Sequence, residues 1–131
     1  MDQTHRLEKL KEIREFVNQI NSESTTDSLI LVEGKRDLEA LCYLGCSGNI
    51  RVYHNYKNIV SLVDNFRDKY KKLILLLDLD HSGETMTRKI SLLLTQRYID
   101  NYYRYRIMKI TQGKIRTVEE LKSFYNSMLR N

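Results

Sequence analysis

The sequence predicts an α/β fold, a parallel four-stranded sheet flanked by helices, and three observations carry that prediction. Short apolar-rich runs at Leu29–Val32, Ile50–Tyr53 and Leu73–Leu77 are spaced like successive strands. Between them lie longer segments whose apolar residues recur every three or four positions, as on a helix face. The Leu73–Leu77 run is continuous, which suits a strand buried on both faces and therefore a sheet with helices on both sides.

Taken in order, Leu7, Leu10, Ile13, Val17 and Ile20 predict an amphipathic helix over residues 4–20, followed by the polar loop Asn21–Ser28. A strand at Leu29–Val32 ends at Glu33-Gly34, where glycine permits a tight turn into a helix over Asp37–Leu44 closed by Gly45. Ile50–Tyr53 is the second strand, and Asn58–Tyr70 a helix with Ile59, Leu62, Val63 and Phe66 inward. The third strand is followed by a helix over about Ser82–Tyr98, with Met86, Ile90, Leu93 and Leu94 inward, and by a fourth strand near Tyr105–Ile110. A final helix begins at Thr117, where Thr117 and Glu120 make a capping box, and runs to about 130. At 131 residues this reads as a single domain with its core over 29–110, large enough to bury roughly two thirds of its unfolded surface.

Composition narrows the function classes. No apolar run approaches the ~18 residues of a membrane span, and the N-terminus is a charged helix pattern, so a cytoplasmic location is expected. Cys42 and Cys46 sit one helical turn apart without a second ligand pair, which predicts reduced, partly buried thiols and no zinc. The net charge of +5 is concentrated: Arg97, Arg104, Arg106, Lys109, Lys114 and Arg116 stand against Asp100 alone, so the rest of the chain is neutral. Tyr98, Tyr102, Tyr103 and Tyr105 are interleaved with those cations, a pattern that can neutralise phosphates and stack on bases, or can be a basic edge whose tyrosines pack in the core.

The chemistry-bearing residues lie where strands end. Asp78 and Asp80, two apart after the third strand, project to the same side of extended backbone. Two carboxylates so placed raise each other's pKa unless a cation separates them, and hard oxygen ligands suit Mg²⁺ or Mn²⁺. Glu33 closes the first strand. In a parallel sheet all carboxyl ends open on one edge, and an order such as 2-1-3-4 brings Glu33, Asp78 and Asp80 to one cleft. Helix N-termini near Lys35 and Ser82 open on the same edge and favour phosphate, an arrangement suited to phosphoryl transfer.

The paired segments SLILVEGKRDLEAL (Ser28–Leu41) and KLILLLDLDHSGE (Lys72–Glu84) resemble the Toprim domain of topoisomerases, primases, OLD-family nucleases, RecR proteins and a ribosomal-RNA maturation nuclease. Glu33-Gly34, Asp78-Leu79-Asp80 and Gly83 fit that family's motifs over about Leu29–Ile110. The resemblance implies a Rossmann-like core, Asp78 and Asp80 as ligands for Mg²⁺ or Mn²⁺, and Glu33 as the acid/base residue that also touches the metal. The third acid found in some topoisomerases is replaced by Ser82, which makes the chain more like primase and nuclease members. Lys35, Arg36, Arg97, Arg104, Arg106 and Lys109 are the expected nucleic-acid contacts, and His81 reads as an exposed turn residue.

With 131 residues leaving no room for a strand-passage gate or a template module, two functions are expected: a small metal-dependent nuclease on RNA or DNA, or a binding module that works with protein partners. A strand followed by Asp-x-Asp also opens haloacid-dehalogenase-type phosphatases, and receiver domains carry acids after their strands. The first is disfavoured by the 51 residues left after Asp80, the second by the single acid, Glu33, after the first strand.

Overall fold

The computed structural model describes residues 2–95 and 98–130. Its elements in chain order are helix α1 (Gln3–Glu23), strand β1 (Ser28–Val32), helix α2 (Lys35–Leu44), strand β2 (Ile50–Val52), a short 3₁₀ turn (Tyr53–Asn55) and helix α3 (Ile59–Lys69). Strand β3 (Lys72–Leu76), helix α4 (His81–Leu93), strand β4 (Ile99–Asp100), helix α5 (Tyr102–Thr111) and helix α6 (Glu120–Leu129) complete it. The four strands form one parallel sheet in the order β2-β1-β3-β4.

Side-chain alternation divides the core in two. Ile30, Val32, Ile50, Val52, Ile74 and Leu76 face one layer, made by Phe16 and Ile20 of α1, Leu41 and Leu44 of α2, Tyr103 and Ile107 of α5, and Leu121 of α6. Leu29, Leu31, Leu73, Leu75 and Leu77 face the other, closed by Leu62, Val63 and Phe66 of α3 and by Ile90 of α4. Both central strands are buried on both faces, which is why they read as unbroken apolar runs. Since α2 leaves β1 toward one face and α4 leaves β3 toward the other, the crossovers diverge between β1 and β3, and a crevice opens outside the carboxyl ends of those two strands.

Several local expectations are corrected. Tyr105–Ile110 is not a strand but the body of α5, whose buried residues Tyr103, Ile107 and Ile110 follow helical spacing, and the fourth strand is the two-residue β4 just before it. Helix α4 stops at Leu93, and Tyr98 lies beyond it. Leu7 and Leu93, expected inward, are exposed, whereas Phe16 is fully buried. Gly45 does end α2, at a φ of 103°. Thr117 Oγ1 accepts from Glu120 N at 3.3 Å, just ahead of α6. Cys42 is exposed and Cys46 buried, its thiol pushed up to about 12, chiefly by burial. Among the described residues no helix is long and apolar enough to cross a membrane.

Gly83 is required by close packing. A Cβ there would stand 1.8 Å from the carbonyl oxygen of Asp78, a backbone atom that cannot swing aside. Gly83→Ala is therefore expected to destabilise the fold by about 1–3 kcal/mol, read as a lowered thermal denaturation midpoint, with Ser82→Ala as the neighbouring control.

Candidate active site

Each acid-bearing loop is held by identifiable bonds. Glu33 directly follows β1, and its carbonyl accepts from His54 N at 3.2 Å, tying the loop after β1 to the one after β2. The β1–α2 turn is closed by Asp37, the third residue of α2, which is 6% exposed and accepts from Gly34 N through Oδ2 at 3.0 Å. Gly34 itself has an extended φ of −135°, and a Cβ there would make only ordinary contacts with His54 and Asp37. Its lack of a side chain leaves the backbone open toward the cleft and is not demanded by the turn.

After β3, Leu77 is still buried and Asp78 emerges half-buried. The loop is gripped from behind by Arg104, 6% exposed, whose guanidinium donates to the carbonyls of Leu77 (3.3 Å) and Asp78 (2.7 Å) and to Glu84 Oε2 (2.6 Å). A guanidinium with five fixed donors suits such a three-way hold. Asp80 caps α4, its Oδ1 accepting from Gly83 N at 2.8 Å.

Glu33, Gly34, Lys35, Arg36, Asp37, His54, Asp78, Thr117 and Glu119 line one cleft of about 330 Å³ at the carboxyl edge. Of the residues singled out in the sequence, Glu33, Asp78, Lys35 and Arg36 therefore come together. Asp80 is not in the lining, but its charge is among those felt by Asp78. Arg104 is spent inside the protein and is not a surface cation, because Asp78 and Leu77 carbonyls and Glu84 surround it. Arg106 is half-buried, bonded to Gln19, with its guanidinium 6.0 Å from the centre of the Tyr102 ring. Lys109 is exposed and 5.8 Å from the centre of the Tyr105 ring. Arg97 lies outside the described residues, and His81 is exposed at the first position of α4.

Asp37, His54 and Glu119 were not singled out from the sequence, and Thr117 was read only as part of the capping box ahead of the last helix. Asp37 reads there only as a helix-start residue, and nothing local announces that the chain returns Glu119 to the cleft.

The electrostatics centre on Asp78. Burial, then the charges of Glu33, Asp37 and Asp80, then a hydrogen bond shared with the Glu33 carboxyl push its pKa up to about 7. Its Oδ1 is buried and has no hydrogen-bond partner. An orphaned carboxylate oxygen among other acids fits a divalent cation, which would satisfy the lone pairs and offset the crowded charge together. No three described His, Cys, Asp or Glu side chains form a ready-made ligand cluster. Mg²⁺ does not demand one, since it keeps several waters and is held through one or two carboxylates.

Comparison with known proteins identifies a family for the core. The family model described as the Toprim domain matches residues 28–110. A UPF0292 protein of Thermoplasma volcanium is 37% identical over 94 residues, covering 70% of this chain and 77% of that protein. One from Methanosarcina acetivorans is 28% identical over 131 residues (92% and 84%), and one from Archaeoglobus fulgidus 27% over 124 residues (93% and 96%). A solved structure of a protein from Aquifex aeolicus superposes with a TM-score of 0.66 at 30% identity, over 81% of this chain and 94% of that one.

The raised pKa of Asp78 sets a pH dependence. Because the folded value, about 7, lies above the unfolded value near 3.8, the group favours the fold at low pH. That advantage is lost as pH climbs from about 4 to about 7. Asp78→Asn should raise the melting midpoint of the chelator-treated protein at pH 8, and the gain should shrink toward pH 4.

Proposed function

Because the chain belongs to the Toprim domain family, whose members bind divalent metals and process nucleic acids, we propose that it is a metal-dependent phosphodiesterase acting on RNA or DNA. The observation that carries this reading is the charge-crowded Asp78 carboxylate beside Glu33 in the crevice at the switch point, with its buried Oδ1 left without a partner. Asp78, with Asp80 beside it and Glu33 opposite, would hold Mg²⁺ or Mn²⁺. A bound divalent ion supplies positive charge to the phosphate oxygens as negative charge develops on them.

The remaining roles fall to side chains of this chain. Lys35 and Arg36, exposed in the first turn of α2, neutralise the phosphate, helped by the N–H groups that a helix start directs at anions. Glu33, half-buried at the end of β1, takes the proton from the attacking water, a task for a carboxylate within reach of the scissile group. Asp37 and Arg104 hold the two acid-bearing loops still. On α5, Tyr102, Tyr105 and Lys109 are exposed and Arg106 partly so, giving a cationic and aromatic surface on which a nucleic-acid backbone and bases can lie.

A second reading is a binding module without turnover that works with protein partners. It is favoured by one observation: Asp80 spends Oδ1 on capping α4, and the described residues hold no three-acid ligand set.

Labelled RNA and DNA incubated with Mg²⁺ or Mn²⁺ separate the two. Cleavage that drops by about 10²–10⁴-fold in Glu33→Gln and vanishes in Asp78→Ala with Asp80→Ala supports the enzyme; salt-sensitive binding without product supports the module. On either reading, Arg106→Ala with Lys109→Ala should weaken binding to all sequences alike and reduce the salt slope by about two. Unchanged affinity would place the nucleic acid elsewhere.

A further inference from the structure

Four residues beyond the family-matched region, Arg116 to Glu119, touch both acid-bearing loops at once. The carbonyl of Arg116 accepts from Leu79 N at 2.6 Å, between Asp78 and Asp80. Glu119 N donates to Asp37 Oδ1 at 2.8 Å, while the other oxygen of the same carboxylate holds Gly34 N at 3.0 Å. Only two residues, Thr117 and Val118, separate the Arg116 carbonyl from the Glu119 nitrogen, about 8 Å at most when fully extended. So short a tether fixes how far apart the two loops can stand.

The tether is itself anchored. Val118 is 0% exposed in the core, and Ile115 is buried just before it. Arg116 N donates to Glu120 Oε2 at 3.3 Å, and Thr117 Oγ1 accepts from Glu120 N, so the segment is stiffened by the start of α6. Its side chains Thr117 and Glu119 form one wall of the cleft, with Glu119 3.7 Å from the Arg36 guanidinium.

We propose that Arg116–Glu119, acting through the doubly bonded carboxylate of Asp37, is a clasp that sets the spacing of Glu33 against Asp78 and Asp80, so that divalent-metal affinity in this chain depends on residues outside the Toprim core. The proposal rests on the metal-site reading above. Asp37 is a positioning residue in it: both its oxygens are engaged by backbone N–H groups, one from each side of the cleft. Loss of such outer partners typically costs about 10- to 100-fold in metal affinity.

The test is Mn²⁺ titration by calorimetry into wild type, Asp37→Glu and Val118→Ala, beside thermal melts of each in chelator. Asp37→Glu keeps the negative charge and displaces the carboxylate by one methylene, so an effect of charge alone leaves affinity unmoved, whereas the clasp predicts binding weaker by about tenfold or more. Val118→Ala loosens the same segment with no polar or charged atom altered and should weaken binding in the same direction. If Asp37→Glu shows no cooperative melt, Val118→Ala decides alone. Variants that melt earlier yet bind Mn²⁺ within about twofold of wild type overturn the clasp, since outer-partner losses are far larger. A wild-type protein that binds no Mn²⁺ overturns the metal site, and the clasp with it.

Discussion

The structure turns on a carboxylate placed where a carboxylate is costly. Asp78 emerges from a strand buried on both faces into a crevice already holding Glu33 and Asp37, with Asp80 two residues on. Desolvation and like charge both oppose its ionisation, and one of its oxygens is left with no donor. A protein that only needed to turn from a strand into a helix would not need this arrangement, because a single capping acid such as Asp80 suffices. The strain is local and chemically specific: it is relieved by positive charge and by little else.

The surrounding architecture serves to keep that carboxylate from escaping. Arg104 pins the carbonyls of Leu77 and Asp78 from the α5 side, Gly83 lets α4 approach the same loop without a clash, and Asp37 closes the turn that carries Glu33. These supports come from three different helices. Removing the freedom of the loop in this way is how a fold keeps a repulsive cluster assembled before any ligand arrives, since the cost of ordering has been met during folding.

Much of this was legible in the residues, and what was not has physical causes. The strand order and the meeting of Glu33 with Asp78 follow from chirality and from apolar runs that stop at acids, both long-range rules with local signals. The fourth strand was misplaced because Tyr105 to Ile110 is rich in residues that favour strands, while the helical spacing of Tyr103, Ile107 and Ile110 starts before that window. A two-residue strand such as β4 carries almost no pattern at all. Arg104 looked like a surface cation because nothing adjacent in sequence shows that three acceptors await it inside. Asp37 and Glu119 meet across 82 positions, and their bond belongs to the return of the chain after α5, beyond the reach of any local periodicity.

The lateral limits of the sheet have a consequence for how this molecule meets copies of itself. β2 contributes three residues and β4 only two, against five in each central strand. An outermost strand that brief exposes few unpaired amides, so there is little for a foreign strand to zip onto, and edge-to-edge polymerisation is blunted. Contacts between copies made by the outer faces of its helices would instead rest on side chains, which can be altered one substitution at a time.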